Sequence, residues 1–327
     1  MKIVIAGGTG FLGSPLAEGY AEEGHDVRVL TRGLPPGKSR HDPGTGVPGV
    51  TRVGWAPLPD GGLGGSGPQT PHDGTGVTAY LAELLSGADA VINLAGESIA
   101  DGRWTPQRKA ALRDSRILAT RSLVGAINAA KSPPRVFVSG SAVGYYGPRG
   151  DEPITEDSKP GDDFLSSLCV DWEQAAQPAA GSGTRLTVLR TGIVIERSGG
   201  ALAKMITPFK LLAGGPIGSG RQYMSWIHRL DWVEMVRWIV QTPQAAGPVN
   251  ATAPHPVTNR HFARALGRAL HRPALVPVPG FALKIALGEM ADSLVTGQRV
   301  MPARAKSLDF HFRYPEIEQA FRGIFED

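Results

Sequence analysis

The chain has one cysteine, Cys169, so it cannot close an internal disulfide, and a reducing compartment such as the cytoplasm suits it. Long apolar runs are also missing. No stretch approaches the roughly 20 apolar residues of a membrane span. The N-terminus enters an apolar segment at Lys2 without the basic region and long apolar run of a signal peptide. Charge of one sign does not accumulate, and the net charge is only +4. Arg103, Arg108, Lys109 and Arg113 lie on or beside one helical stretch and form no basic stripe with interleaved aromatics, which excludes a nucleic-acid groove. No membrane, nucleic-acid or metal partner is expected. What remains, at 41% hydrophobic and 20% charged, is a globular chain. Its 327 residues exceed the usual single domain, so one large domain plus a smaller one is expected.

The most informative stretch is Met1–Thr31. Lys2–Ala6 is a short, branched, apolar run that suits a buried parallel strand. Gly7, Gly10 and Gly13 follow as G-x-x-G-x-x-G, with Thr9, Phe11 and Leu12 filling the turn. Leu12, Leu16, Ala17 and Tyr20 then recur near helical spacing. Gly24 ends that helix, and Asp26–Leu30 is the next strand. A β-α-β unit with a glycine-rich first turn lets a pyrophosphate approach the backbone and rest on the helix N-terminus.

The end of the second strand decides between two nicotinamide cofactors. A carboxylate there would bind the adenosine ribose hydroxyls and repel a 2′-phosphate. Here Thr31 and Arg32 follow the strand, and no acidic residue appears before Asp42. Arg32 can pair with a phosphate through its guanidinium fork. The expected cofactor is therefore NADP(H).

Most of the abundant glycine and proline falls in one segment, Gly33–Gly76. Only Val50–Trp55 reads as a strand within it, and the rest reads as loop. Further strands are expected at Asp89–Asn93, Arg135–Ser139, Arg185–Arg190 and Val249–Thr252. Helices are expected at Val77–Ser86, Thr105–Ala130, from Phe164, at Ala201–Ala213, after Met224–His228 with Asp231 as N-cap, at Asn259–Leu270, near Phe281–Leu287 and Pro302–Ser307, and at Glu316–Phe325. The fold class is α/β: a Rossmann-type, doubly wound parallel sheet with a smaller C-terminal substrate lobe. The expected division is residues 1–189 for cofactor, with 227–245 returning to that domain, and 190–327 mostly for substrate.

The glycine spacing resembles that of the extended, epimerase-like branch of the short-chain dehydrogenase/reductase (SDR) superfamily. Asn93-Leu94-Ala95-Gly96 resembles the NxAG segment of that superfamily, where a strand end passes under the cofactor. The resemblance implies that Glu97 and Ser98 face the pocket and that Arg116 bridges to a phosphate or to Glu97. It further implies that Ser141 hydrogen-bonds the reacting oxygen, that Tyr145 and Tyr146 line the pocket, and that Val194 packs on the nicotinamide. MSWIHRLD resembles the stretch opening the last core helix, so Trp226 and His228 reach toward the substrate. Superfamily members often pair as homodimers.

One part of the pattern is missing. Active SDRs open a helix with YxxxK, the tyrosine acting as acid/base and the lysine lowering its pKa. Matching Glu173 to the glutamate that commonly follows puts Leu165 and Cys169 in the tyrosine and lysine positions. Leucine has no proton to transfer, and a neutral thiol is no cation. This departure, with GYYG, GGPIGSG and SWIH, resembles an atypical subgroup of epimerase family proteins with an uncharacterised C-terminal domain. The reading is an NADP(H)-dependent oxidoreductase or epimerase acting on an unidentified small molecule. Ser141 would orient the reacting oxygen, and Tyr145, Tyr146 or water would supply the proton, with Tyr145 preferred. The alternative is an NADPH-binding sensor or scaffold without turnover.

Overall fold

The computed structural model describes residues 1–32, 34, 38–41, 49–57, 75–274 and 276–326. Its strands are β1 (Lys2–Ala6), β2 (Asp26–Thr31), β3 (Ser39–His41), β4 (Val50–Gly54), β5 (Ala90–Asn93), β6 (Val136–Ala142), β7 (Pro153–Ile154), β8 (Arg185–Thr191), β9 (Ile193–Glu196), β10 (Tyr223–Met224), β11 (Trp226–His228), β12 (Gly247–Ala251), β13 (Val257–Thr258) and β14 (Arg299–Val300). Its helices are α1 (Gly13–Glu22), α2 (Thr75–Leu85), α3 (Pro106–Ala129), α4 (Phe164–Ala176), α5 (Gly200–Lys210), α6 (Arg229–Gln241), α7 (Asn259–Ala269), α8 (Gly280–Leu287), α9 (Met290–Val295), α10 (Ala303–Ser307) and α11 (Ile317–Phe325).

The main sheet runs in the order β12-β8-β6-β5-β1-β2-β4-β3. Pairings from β6 through β5, β1 and β2 to β4 are parallel, and β3 closes the edge antiparallel to β4. The chain builds outward from β1 on one side, then returns to add β5 on the other. That reversal makes a crevice outside the carboxyl ends of β1 and β5, where ligands of open α/β sheets bind. The Rossmann-type expectation is met.

The chain divides into two compact units: Met1–Glu97 with Ala111–Gly140 and Asp171–Val188, and Ser98–Ala110 with Ser141–Val170 and Leu189–Asp327. In the first, Val4, Ala6, Val91 and Phe137 from the strands pack with Leu81, Leu85, Leu123 and Ile127 from the helices. Helix α1 buries Leu16, Ala17 and Tyr20, one face at helical spacing. Each fully buried side chain of Leu16's size is worth about 1.5–3 kcal/mol relative to exposure. The second unit has its own core, in which Phe262 of α7 and Phe321 of α11 meet edge to face at 5.1 Å.

Two expectations need correction. Ser39–His41 is a strand, although Gly33–Gly76 promised only one. Three polar residues beside Gly and Pro carry no alternation of apolar side chains, and β3 is an edge strand that needs none. Much of the remaining loop segment lies outside the described residues. Asp231 does not cap α6. His228 does, its Nδ1 accepting from Leu230 N at 3.1 Å. Asp231 sits inside the first turn and accepts from the backbone N–H groups of Arg313 and Tyr314 at 2.8 and 2.9 Å.

Candidate functional site

The first unit offers a cradle at the sheet's reversal point. Gly7 turns the chain out of β1 with φ +81°. A Cβ there would lie 2.7 Å from the carbonyl carbon and oxygen of Leu94, just past β5. At Gly13 a Cβ would lie 2.2 Å from Gly7 O, so glycine is what lets α1 close on the turn. Leu12, at the helix cap position, supplies no side-chain hydrogen bond. The N-terminus of α1 thus keeps backbone N–H groups and a positive dipole end without a side-chain cap.

A cavity of about 650 Å³ opens here. Gly7, Thr9, Gly10, Thr31, Arg32, Leu94, Ala95, Gly96 and Glu97 line it, with Leu30, Trp55 and Pro57 from the β2 and β4 side. Ala111, Asp114, Ser115, Leu118 and Ala119 of α3 complete the wall. Nine of the residues read from sequence as cofactor or pocket residues therefore meet in one place. Phe11, Leu12 and Gly13 belong to the turn but do not line the cavity. Arg32 is exposed, and the β2 exit carries no carboxylate. A helix N-terminus beside a glycine turn, with a guanidinium at the ribose end, fits a phosphorylated dinucleotide.

Asn93 and Arg116 brace the chain where it leaves β5. Asn93 is fully buried, donates from Nδ2 to Thr120 Oγ1 at 2.8 Å and accepts from Ala95 N at 3.2 Å. Thr120 Oγ1 also accepts from Trp172 Nε1 at 2.9 Å and donates to Arg116 O at 2.8 Å. Its one proton and both lone pairs are used, so the network is closed. Arg116 is buried, donating to Glu97 O and Leu112 O at 2.9 Å each, with its guanidinium 5.2 Å from the Trp172 ring. It reaches the backbone of Glu97. Both residues fix the Leu94–Glu97 exit without lining the cavity.

In the second unit, Ser141 is buried near the end of β6. A 3-10 turn, Val143–Tyr146, follows directly. Tyr145 is half-buried there, its ring edge-to-face with Tyr146 at 5.2 Å. The Arg190 guanidinium lies 3.5 Å from the centre of the Tyr145 ring. Tyr146 is fully buried, donates to Asn250 Oδ1 at 2.7 Å and accepts from Arg190 Nη1 at 2.9 Å. Burial pushes its phenol up to about 12, against the pull of Arg190. Tyr146 is a structural anchor and does not line the cavity at the glycine turn.

Trp226 and His228 also turn inward. Trp226 is fully buried in the second unit's core and donates to His255 O at 3.2 Å. His228 packs on the Tyr314 ring at 4.1 Å, and burial pulls its imidazole down to about 4, so it is neutral near pH 7. Val194 is buried, while its neighbour Ile193 faces a cavity, as alternation along a strand requires. Ser98 is exposed, and its carbonyl accepts from Arg108 at 2.6 Å.

The cavity that Ile193 faces has a volume of about 450 Å³. Val143 and Gly144 of the tyrosine turn line it, with Leu165 of α4, Met205 of α5, and Leu287, Met290 and Leu294 of α8 and α9. A Cβ on Gly144 would lie 3.2 Å from Leu165 Cβ and 3.9 Å from Cys169 Sγ. Leu165 and Cys169, four apart on α4, thus share the face beside this turn. Among the described residues, no group of three or more His, Cys, Asp or Glu could hold a metal ion.

A family model for the NAD dependent epimerase/dehydratase family matches residues 3–252. The chain belongs to that family. A second model, a domain of unknown function, covers residues 278–324. The family relatives include epimerase family protein YfhF of Bacillus subtilis, 38% identical over the whole chain and 99% of that protein. A chloroplastic SDR39U1 homolog of Arabidopsis thaliana is 37% identical over the whole chain and 87% of its own length. The crystal structure of human epimerase family protein SDR39U1 with NADPH aligns at TM-score 0.83 and 34% identity over the full length of both chains. The resemblance to epimerase family proteins with an uncharacterised C-terminal domain is thereby established.

Sequence reasoning missed Arg190 as a partner of the tyrosine pair, and missed α9 and most of the second cavity's wall. Arg190 closes an apolar strand, TVLR, immediately before Thr191-Gly192. A charged residue ending a buried strand was the available signal. Among the described residues, no helix is long and apolar enough to cross a membrane.

Proposed function

We propose that this chain is an NADP(H)-dependent oxidoreductase or epimerase-type enzyme acting on a small molecule. The observation that carries this reading is the first unit's cradle. A glycine turn, directly followed by the uncapped N-terminus of α1, lines one cavity with Arg32, where an NAD-selective site would place a carboxylate. The NADPH bound by the human relative agrees with that chemistry. A bound nicotinamide supplies or accepts hydride. The residues assigned to the cofactor are those of the turn, Thr31, Arg32 and the Leu94–Gly96 exit, with Asn93 and Arg116 holding that exit in place.

Proton transfer falls to Tyr145, with Ser141 orienting the reacting oxygen. Leu165 can transfer no proton, and Tyr146 is locked between Asn250 and Arg190. A cation fixed on the Tyr145 ring face stabilises charge that develops there during transfer. Tyr145→Phe should therefore lower NADPH oxidation with a carbonyl substrate by about 10²-fold or more while leaving NADPH affinity intact. Full activity in that variant removes Tyr145 from the mechanism.

A second reading, a cofactor-binding sensor without turnover, is favoured by Leu165 and Cys169 standing beside Gly144. It predicts tight NADPH binding and no oxidation with any member of a broad panel of carbonyl compounds.

A further inference from the structure

The second unit's cavity has no counterpart in the chemistry of the cradle. Its walls are mainly aliphatic and thioether side chains drawn from separated segments, with polar ones such as Asp163, Lys204 and Gln222 between them, and three of the chain's six methionines, Met205, Met224 and Met290, stand there. Methionine adapts its shape to an irregular apolar guest. A volume of about 450 Å³ suits a drug-sized molecule.

The polar side chains on the wall are mostly engaged by the protein itself. Lys204, the one cation among the described lining residues, donates to Asp101 Oδ1 at 3.0 Å and to Ala100 O at 2.8 Å. Gln298 donates to Val143 O at 2.7 Å. Gln222 gives its amide protons to Ile217 O and Leu294 O at 3.0 and 3.1 Å. That fixes its orientation and leaves Oε1 buried with no hydrogen-bond partner among the described residues.

We infer that this cavity binds an uncharged, largely apolar molecule, and not a nucleoside-diphosphate sugar. A pyrophosphate brings at least two negative charges and needs cations or a helix N-terminus to replace its hydration. Among the described lining residues the one cation, Lys204, is already paired with Asp101, and Asp163 adds a carboxylate to the wall. One wall comes from α8 and α9, within residues 278–324, so the segment matched by a domain of unknown function shapes the ligand site. The inference rests on the small-molecule reading above and gives that molecule a chemical class.

The probe is 6-propionyl-2-(dimethylamino)naphthalene, an uncharged naphthyl ketone whose emission moves to the blue on leaving water. Wild-type protein should bind it saturably. Leu294→Glu and Met205→Glu, on partly exposed positions of two different helices, should each weaken binding at least about tenfold, because a carboxylate would be desolvated by the dye. Circular dichroism checks that both variants fold, and Leu294→Gln replaces either one that does not. Phe281→Glu, on a residue of α8 that is 71% exposed and outside the cavity wall, should bind like wild type. Millimolar UDP-glucose should not displace the dye. The inference is overturned by absence of saturable binding, by undiminished binding in the folded cavity variants, or by displacement with UDP-glucose. Calorimetry with NADPH on the same preparations keeps the two readings apart. NADPH binding without dye binding sinks only this inference, whereas dye binding without NADPH binding sinks only the cofactor assignment.

Discussion

In the first unit the cavity wall includes a glycine turn that has only backbone to present. Gly7, Gly10 and the Leu94–Gly96 exit present peptide groups, and a Cβ at Gly7 would collide with the Leu94 carbonyl. In the second unit the surface is made of side chains: Val143, Leu165, Ile193, Met205 and Leu294 come from five separate elements or turns. A backbone surface recognises what is common to many ligands, here phosphate, and tolerates almost no change in residue type. A side-chain surface can be rebuilt one residue at a time, and it is where substrate preference is set.

The sharpest way to break the contrast is Gly7→Ala. The new Cβ would meet Leu94 C and O at 2.7 Å in a left-handed backbone conformation. NADPH affinity should fall by about 10²-fold, with roughly 1–3 kcal/mol of lost stability. Calorimetry and thermal unfolding report the two effects separately. Affinity within twofold of wild type would show that the turn is not the phosphate cradle.

Arg190→Met tests whether the tyrosine pair is organised by one buried cation. Arg190 is 4% exposed, and its guanidinium donates to Tyr146 Oη and Glu156 O at 2.9 and 3.0 Å. Losing it leaves buried acceptors unpaired and should cost about 2–4 kcal/mol in urea unfolding. A loss under about 0.5 kcal/mol, the range of ordinary surface changes, would remove Arg190 from that role.

A smaller effect follows from His228. Its folded pKa, about 4, lies below the unfolded value near 6.5. Between those values the unfolded chain binds the extra proton, so this residue lowers stability as pH falls from about 6.5 to 4, and adds nothing further below that. The full effect is on the order of 3 kcal/mol. Asp231, whose carboxyl is pushed up by burial, acts in the opposite sense on the same helix. His228→Asn keeps a capping oxygen and removes the titration, so it isolates the histidine. The stability difference between pH 7 and pH 5 should shrink in this variant, and an unchanged difference would contradict the assignment.

How much of this was legible in the sequence follows the same division. That Gly7, Thr9, Gly10, Thr31, Arg32 and Leu94–Glu97 lie around one cavity was legible because they come in short contiguous stretches at strand ends. Trp226, His228 and Tyr146 were misplaced because a large polar-tipped side chain reads alike whether it lines a pocket or fills a core. Their hydrogen bonds to His255, Leu230 and Asn250 come from distant or backbone groups that no local pattern reveals. Asn93 was read as a ligand contact, but its partner Thr120 lies 27 residues away on another element. The two-residue strands β7 and β14 carry no periodicity at all, and they pair with each other across the sequence.

The central claim is that the cradle of the first unit selects a 2′-phosphorylated nicotinamide dinucleotide through Arg32. Titration calorimetry of wild type and Arg32→Ala with NADPH and with NADH tests it most directly. Wild type should bind NADPH at least about tenfold more tightly than NADH, the worth of one charge-assisted phosphate contact. Arg32→Ala should lose most of that preference while its NADH affinity stays the same. A wild type that binds neither nucleotide, or a variant that keeps the full preference, would contradict it.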